Sequence, residues 1–296
     1  MVPGAIALAD YIVVIQYMNN HISPGHNACA GCGQLSAVQA VMRALDKDVI
    51  LVSATGCLEV TTTAHPDSAW NLAWFHSLFE NAAPVASGIK AALNRKKKKT
   101  QVVIQAGDGA TYDIGLGLLS GLWERKDEVL YICYDTEAYS NTGAQASGAS
   151  PWGSVTPSSD HKKQQEKKDM LAIAVAHNLS YVAQSAAGFP DDISRKVKKA
   201  LLSPGPSYIQ ILAPCIPGWK IKMDEAVKAG RLAVQSALYP LLEYENGKLI
   251  SSSAKTANPK LTLEYIRLQG RFQHLSEEDI QALTKLAERN KKKYKI

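Results

Sequence analysis

Long apolar runs are missing from this 296-residue chain. A membrane-spanning helix needs roughly 18 or more consecutive apolar residues, and no uncharged run of apolar residues in the sequence reaches that length. The first 20 residues are apolar, but Asp10 interrupts them and no basic region leads them, so they lack the organisation of a signal peptide. We therefore expect a soluble cytoplasmic protein without a membrane partner.

Cysteine is also scarce. The five cysteines are an odd number at uneven spacing, which does not suit a secreted disulfide framework, and metal or redox chemistry is the more typical use. Much of the net charge of +6 comes from two lysine-rich runs, at 96–99 and in the tail 289–296. Neither run forms an aromatic-rich basic motif, so the composition predicts no nucleic-acid partner.

Apolar runs rich in β-branched residues alternate with segments of helical periodicity. This alternation predicts an α/β protein with a mostly parallel sheet and helices on both faces. The predicted strands are 48–54, 101–107, 128–135, 180–185 and 207–213, and the predicted helices are 35–45, 80–94, 113–125, 166–178 and 190–202. We expect an N-terminal extension (1–20), an α/β domain (21–220) and a C-terminal extension (221–296) with a helix, two short strand-like pieces and a capped final helix from Ser276.

Ligands bind outside the carboxyl ends of strands in such a sheet. The segments that directly follow four of the predicted strands are 55–59, 107–110, 135–141 and 214–218, and all four carry chemically unusual residues. A longer segment, 141–165, is rich in Gly, Ser and Pro and has no periodicity, which is typical of a functional loop. The four strand ends and this loop are the predicted site.

Four of the five cysteines belong to this predicted site. Cys29 and Cys32 form a Cys-x-x-Cys pair, and Cys57 and Cys215 each follow a predicted strand. Four thiolates fit either structural zinc or an iron–sulfur cluster; one local pair with two distant cysteines favours a cluster, because zinc usually takes two local pairs. The alternative is that Cys57 and Cys215 are small buried hydrophobic residues. Cys133 lies inside an apolar run, and we expect it in the core.

A second constellation begins at Gly107-Asp108-Gly109, where a strand ends shortly before a predicted helix. Glycines allow a diphosphate to approach the backbone, the N-terminus of the helix that begins about three residues later supplies N–H donors, and Asp108 can ligate Mg²⁺. The same tripeptide also describes an ordinary turn. The next strand end lies 26 residues beyond it, and there the Thr136 hydroxyl and a loop carbonyl can complete the magnesium ligands, in a spacing that resembles the thiamine diphosphate motif.

With both constellations identified, the chain resembles the β subunit of the multi-subunit 2-oxoacid:ferredoxin oxidoreductases, and most closely that of the pyruvate enzyme. The similarity covers roughly residues 20–215 and rests on the segments SPGHNACAGCG, ATGCLEV, FENAAPVASGIKAAL, GDGATYDIGLGLLSG and CYDTEAYSNTGAQ. The resemblance implies a thiamine diphosphate-binding fold. It also implies oxidative decarboxylation of a 2-oxoacid, with electrons passing through a 4Fe–4S cluster to ferredoxin and coenzyme A taking the acyl group.

The same resemblance implies roles for individual residues. Cluster ligands are expected at Cys29, Cys32, Cys57 and Cys215, magnesium ligands at Asp108, Thr136 and the Ala138 carbonyl, and cofactor contacts at Gly107, Gly109, Ala110 and Cys57. Asn141 matches the residue that faces the reactive carbon of thiamine and the substrate. Gln34 stands where relatives often have a glutamate that contacts the cofactor.

Partner subunits of the α, γ and δ type are also implied. The glutamate that activates the thiamine ring is expected on the α subunit, so we expect this chain to be inactive alone; Glu59 and Glu80 are candidates only if it works by itself. Tyr139, Asn141 and the loop 146–159 are expected near the substrate. His26, His65 and His76 are further candidate contacts, although each is more typical of an ordinary hydrogen-bonded histidine.

Two alternatives remain at this stage. A non-oxidative thiamine decarboxylase or carboligase shares the magnesium motif but needs no cluster, and a zinc-stabilised scaffold protein needs neither. Pyruvate is the favoured substrate, while 2-oxoisovalerate, 2-oxoglutarate and oxalate remain open because arginines for a second carboxylate can come from a partner chain.

Overall fold

The computed structural model describes residues 21–64, 66–159 and 161–296, and its main feature is an eight-stranded sheet in the spatial order β2-β1-β3-β4-β6-β5-β7-β8. The strands are β1 (Val49–Ala54), β2 (Ala73–Ser77), β3 (Gln101–Gly107), β4 (Leu130–Asp135), β5 (Tyr181–Ala186), β6 (Ser207–Leu212), β7 (Leu242–Glu245) and β8 (Lys248–Ser252). The first six are mutually parallel, whereas β7 pairs antiparallel with β5 and β8 antiparallel with β7.

Helices cover both faces of this sheet. They are α1 (Gly33–Met42), α2 (Cys57–Thr62), α3 (Ala82–Arg95), α4 (Leu116–Glu124), α5 (Met170–Ala176), α6 (Pro190–Leu202), α7 (Ile216–Trp219), α8 (Ala226–Gln235), α9 (Thr262–Arg267) and α10 (Glu277–Lys293). Side chains of α1 and α6 share one hydrophobic core, and those of α3, α4 and α5 share the core of the opposite face. Strands β4, β5 and β6 are buried at every position, as expected for parallel strands enclosed on both sides.

The five predicted strands are confirmed, each within two residues of its predicted ends. Strand β2 was not predicted. It is an edge strand with mostly exposed side chains and the sequence AWFHS, so it lacks the buried β-branched run that marks the other parallel strands. The helix predicted over 113–125 begins earlier than expected, because a π-helical turn, Gly109–Ile114, precedes α4.

The segment after residue 220 has the predicted helix, strand pair and final helix, and it extends the sheet of the α/β domain through the β5–β7 pairing. Its side chains share a third core with Ala186 of β5 and Leu212 of β6. The capping signal is confirmed: the Ser276 hydroxyl accepts from the Asp279 N–H, and the Asp279 carboxylate accepts from the Ser276 N–H. The domain boundary at 220 stays a prediction, and the extension 1–20 lies outside the described residues.

None of the helices in the described ranges is long and apolar enough to cross a membrane.

Candidate active site

Four neighbouring strand ends bring the predicted residues together. Strands β1, β3, β4 and β6 are adjacent and parallel, so the loops that follow them emerge at one edge of the sheet. Two cavities lie there. The thiol cavity, of about 200 Å³, is lined by Cys29, Cys32, Cys57 and Cys215. The glycine-rich cavity, of about 150 Å³, is lined by Gly107, Asp108, Gly109, Thr136, Ala138 and Asn141.

The two cavities are neighbours with common walls. Gln34, Cys57, Leu58, Thr136, Ser140 and Asn141 line both of them. Gln34 is buried at the start of α1, whereas Asn141 is exposed in the loop after β4. A group bound in one cavity would therefore be separated from a group in the other by single side chains.

A close backbone contact brings two of the cysteines together. The Gly33 N–H donates to the Pro214 carbonyl oxygen at 3.2 Å. A Cβ atom on Gly33 would lie 2.7 Å from the backbone of Pro214, so only glycine allows this approach. Because Cys32 precedes Gly33 and Cys215 follows Pro214, the contact fixes both thiols on the thiol cavity.

The spacing of the thiols does not suit a single metal ion. In the described part of the chain, no group of three or more His, Cys, Asp or Glu side chains is placed to hold one ion, although four thiols line one cavity. A polynuclear cluster fits this arrangement better than zinc, because each thiolate then binds a different iron. Cys133 is fully buried in β4 away from this cavity, which confirms its predicted place in the core.

Electrostatics point the same way. Burial, and after it the neighbouring thiols, raises the pKa of Cys57 to about 12. Burial also raises the pKa of Cys32 and of Cys215, although backbone N–H groups hydrogen-bond both sulfur atoms. The Gly218 N–H, for example, donates to Cys215 Sγ at 3.4 Å. Such a set needs a cationic centre to exist as thiolates, and N–H donors of this kind stabilise the charged cluster that would form.

The Thr136 hydroxyl oxygen lies near two other oxygen atoms of the glycine-rich cavity, at distances typical of adjacent magnesium ligands. The Thr136 hydroxyl oxygen lies 2.9 Å from Asp108 Oδ1 and 3.0 Å from the Ala138 carbonyl oxygen. Adjacent ligands of octahedral Mg²⁺ are about 3.0 Å apart, since each lies about 2.1 Å from the ion. Burial, and after it the charge of Asp135, raises the pKa of Asp108 to about 7. A bound cation would offset that cost, so these residues fit Mg²⁺.

Hydroxyl groups orient these ligands. Ser147 donates to Asp108 Oδ2 at 2.5 Å, and Ser140 donates to the Thr136 hydroxyl oxygen at 2.8 Å. Ser147 belongs to the predicted loop 146–159, which we had expected near the substrate; its contact with Asp108 was not predicted. Sequence gave no signal for it, because the two residues lie 39 positions apart.

The start of the π-helical turn is tightly packed. A Cβ on Gly109 would lie 2.4 Å from the ring of Tyr139, whose hydroxyl donates to Asp113 at 2.9 Å. Gly109 is therefore required where Tyr139 covers the turn. Ala110 is buried in the core and does not line either cavity, unlike the other residues predicted to contact the cofactor.

Behind the loop after β4 lies a network of buried charges that sequence reasoning missed. Glu137, held at φ +58°, accepts from Arg271 Nη2 at 2.6 Å and lies 3.0 Å from Lys167 Nζ. Lys167 also pairs with Asp135 at 2.5 Å. Although burial alone raises the pKa of Glu137, the charges of Lys167 and Arg271 hold it below its ordinary value.

The other candidate residues lie at the rim or away from the site. The Thr55 hydroxyl, on the glycine-rich cavity, lies 2.7 Å from His76 Nε2, and Glu59 lies 3.8 Å from the same nitrogen. Glu80 and His26 do not line either cavity, and His65 lies outside the described residues.

Comparisons with known proteins show which family the chain is similar to. The family model for the thiamine pyrophosphate enzyme, C-terminal TPP binding domain, matches residues 54–211, slightly more than half of the chain. The pyruvate synthase subunit PorB of Methanocaldococcus jannaschii is 43% identical over 288 residues, covering 93% of this chain and 96% of that protein. The ketoisovalerate oxidoreductase subunit VorB of Pyrococcus abyssi is 42% identical over 273 residues, covering 88% of each.

A solved structure shares the fold. The 2-oxoglutarate:ferredoxin oxidoreductase from Magnetococcus marinus, solved with 2-oxoglutarate, coenzyme A and succinyl-CoA bound, aligns with a TM-score of 0.61 at 21% identity. The alignment covers 72% of this chain and 80% of that chain. The domain match and the two relatives show that the chain belongs to the thiamine diphosphate-binding β subunits of the 2-oxoacid:ferredoxin oxidoreductases.

Proposed function

We propose that this subunit binds thiamine diphosphate and Mg²⁺ in the glycine-rich cavity and a 4Fe–4S cluster in the thiol cavity, so that electrons leave the substrate through the common wall. The observation that carries the proposal is the shared lining of the two cavities by Gln34, Cys57, Leu58, Thr136, Ser140 and Asn141. An oxidative enzyme needs its electron acceptor next to the reacting cofactor, and a non-oxidative decarboxylase has no use for the second cavity.

The chain's residues divide the work of holding these groups. Asp108, Thr136 and the Ala138 carbonyl hold the magnesium ion, and Asn141 faces the substrate from the common wall. Bound thiamine diphosphate supplies the carbanion chemistry that releases carbon dioxide, and the cluster accepts the electrons. Cys29 is the one exposed thiol of the four, so a cluster held by them would be nearest to solvent on that side, where ferredoxin would take the electrons.

A partner subunit completes the site. Asp108 is the one carboxylate among the described residues that line the glycine-rich cavity, and in this proposal it binds Mg²⁺. The glutamate that activates the thiamine ring therefore comes from another chain. Exposed apolar side chains near this edge, Phe75 (48% exposed), Leu78 (66%) and Ile114 (53%), provide the surface that such a subunit covers.

Pyruvate, a 2-oxoacid with one carboxylate, is the favoured substrate; a second carboxylate would need a cation from a partner chain. No lysine or arginine is among the described residues that line the glycine-rich cavity, so this chain offers no cation for a second carboxylate. The relatives named above act as pyruvate synthase and ketoisovalerate oxidoreductase subunits, which leaves 2-oxoisovalerate as the competing substrate. Coenzyme A accepts the acyl group in either case.

The test is made on the complete complex purified without oxygen. We expect about four irons and four acid-labile sulfides in this subunit and viologen reduction that depends on coenzyme A, with pyruvate the best of a panel of 2-oxoacids. Cys215→Ser should lose iron and viologen reduction. Cys133→Ser, a change to the fully buried cysteine outside the cavity, should keep both. Colourless protein that contains zinc would refute the proposal.

A further inference from the structure

Gln105 is a buried glutamine with one unused hydrogen-bonding group beside the glycine-rich cavity. It lies on β3 two residues before Gly107, it is 1% exposed, and it lines that cavity. Its Oε1 accepts from the Tyr134 hydroxyl at 2.8 Å. Its Nε2 has no hydrogen-bond partner among the described residues. An amide donor buried without a partner destabilises the protein, so this group calls for an explanation.

A second glutamine shows what a purely structural role looks like. Gln210 on β6 is equally buried, at 2% exposed, but both ends of its amide are used. Its Nε2 donates to the Tyr239 hydroxyl at 2.8 Å and to Gln184 at 3.2 Å, and its Oε1 accepts from the Tyr208 hydroxyl at 3.0 Å. Gln210 does not line the glycine-rich cavity. Of these two buried glutamines, Gln105 is the one with an unpaired amide donor, and it is also the one that lines the glycine-rich cavity.

We propose that Gln105 Nε2 donates a hydrogen bond to a diphosphate oxygen of thiamine diphosphate, an inference that rests on the proposed function. The diphosphate is the acceptor-rich part of the cofactor, and in the proposed function it would lie beside the magnesium ligands. Gln105 precedes Asp108 by three residues and lines the same cavity. Hydrogen bonds to an ionised oxygen are stronger than those between neutral groups. Binding of the diphosphate would therefore give the Gln105 amide the acceptor that it lacks without ligand.

The experiment must separate this contact from a packing role. Gln105→Met alone would leave the Tyr134 hydroxyl without its acceptor, so the comparison is between Tyr134→Phe and the double variant Tyr134→Phe/Gln105→Met. Replacing both members of a buried polar pair with apolar groups of similar shape is close to neutral. We therefore expect the double variant, free of ligand, to unfold at the same temperature as Tyr134→Phe or higher.

Ligand binding should respond in the opposite direction. Titration calorimetry with Mg²⁺ and inorganic pyrophosphate, and separately with Mg²⁺ and thiamine diphosphate, is made on the cofactor-free complex. The double variant should bind both ligands at least about tenfold more weakly than Tyr134→Phe. Gln210→Met is the matched control: it should lower the unfolding temperature of the full-length chain and leave both affinities unchanged.

The outcomes distinguish this inference from the proposed function. If Tyr134→Phe binds both ligands and the double variant binds magnesium pyrophosphate within twofold of it, the contact with the diphosphate is refuted while the cofactor assignment stands. If the unaltered complex binds neither ligand, the proposed function fails and the inference falls with it. A double variant that unfolds at a clearly lower temperature would show that Gln105 serves packing.

Discussion

Replacing Arg271 with methionine tests how the segment after residue 220 holds the loop that follows β4. Arg271 is 3% exposed. Its Nη2 lies 2.6 Å from Glu137 Oε2, its Nε donates to Gln269 at 2.9 Å, and its guanidinium carbon lies 4.0 Å from the centre of the Trp219 ring. Methionine fills much of the same volume, so the substitution removes the charge and its hydrogen bonds more than the packing.

The magnitude follows from burial. Removing one partner of a buried ion pair costs about 3–5 kcal/mol, because the other charge stays buried. Glu137 keeps Lys167 at 3.0 Å, but Lys167 is shared with Asp135, so the compensation is partial. We therefore expect about 3 kcal/mol, the lower end of that range. A typical domain has about 5–15 kcal/mol in total, so the loss is large but leaves a folded chain.

The assay is urea denaturation of the full-length chain at neutral pH. Arg289→Met is the control, because Arg289 and its partner Glu166 are both 59% exposed at the side chain, and such pairs contribute less than about 1 kcal/mol. If the free energies of unfolding of the two variants differ by less than about 1 kcal/mol, the charge network does not stabilise the loop as argued.

Two further predictions concern the thiol cavity and the attachment of β7. Gly33→Ala should lower the iron content of the anaerobic complex by more than half, because a Cβ at this position would lie 2.7 Å from the Pro214 backbone. Gly117→Ala in α4 is the control, because a Cβ there meets nothing within 4 Å. This control variant should keep the iron and slightly raise the unfolding temperature. Glu243→Gln should flatten the acid limb of the stability curve. Burial alone raises the pKa of Glu243, but hydrogen bonds and charge from Lys199 and Arg195 hold it below its ordinary value, so its stabilisation is present above a pH of about 4.3 and is lost as the pH falls through the folded pKa. Denaturation midpoints measured from pH 3 to 7 check this, and a variant whose acid limb matches that of the unaltered chain would contradict it.

The main strands and the approximate location of the site could be predicted because their signals are local. Parallel strands enclosed by helices must be apolar on both faces, so β3, β4 and β6 stand out as continuous apolar runs. Once those runs are strands, their carboxyl ends lie at one edge, and Cys57, Asp108, Thr136 and Cys215 follow as neighbours. The structure bears out that neighbourhood.

The supporting contacts could not be predicted because they join distant parts of the chain. Arg271 and Glu137 are 134 positions apart, and no periodicity or motif links them. A lysine such as Lys167, in the run HKKQQEKK, looks like a solvated surface residue until the fold buries it between Asp135 and Glu137. Edge strand β2 was missed for a different reason: its side chains are mostly exposed, so its sequence lacks the apolar pattern of a buried strand.

One side chain links the two cavities structurally. Trp219 lies four residues after Cys215, at the end of α7, and its indole N–H donates to the Thr136 carbonyl oxygen at 2.8 Å. Arg271 packs on its ring and holds Glu137, the residue after Thr136. Because Trp219 is completely buried and bonded to Thr136, it connects the segment that contains Cys215 to the loop after β4. The segment after residue 220 therefore helps, through Arg271, to hold the residues around Cys215 and those around Thr136 in position relative to each other.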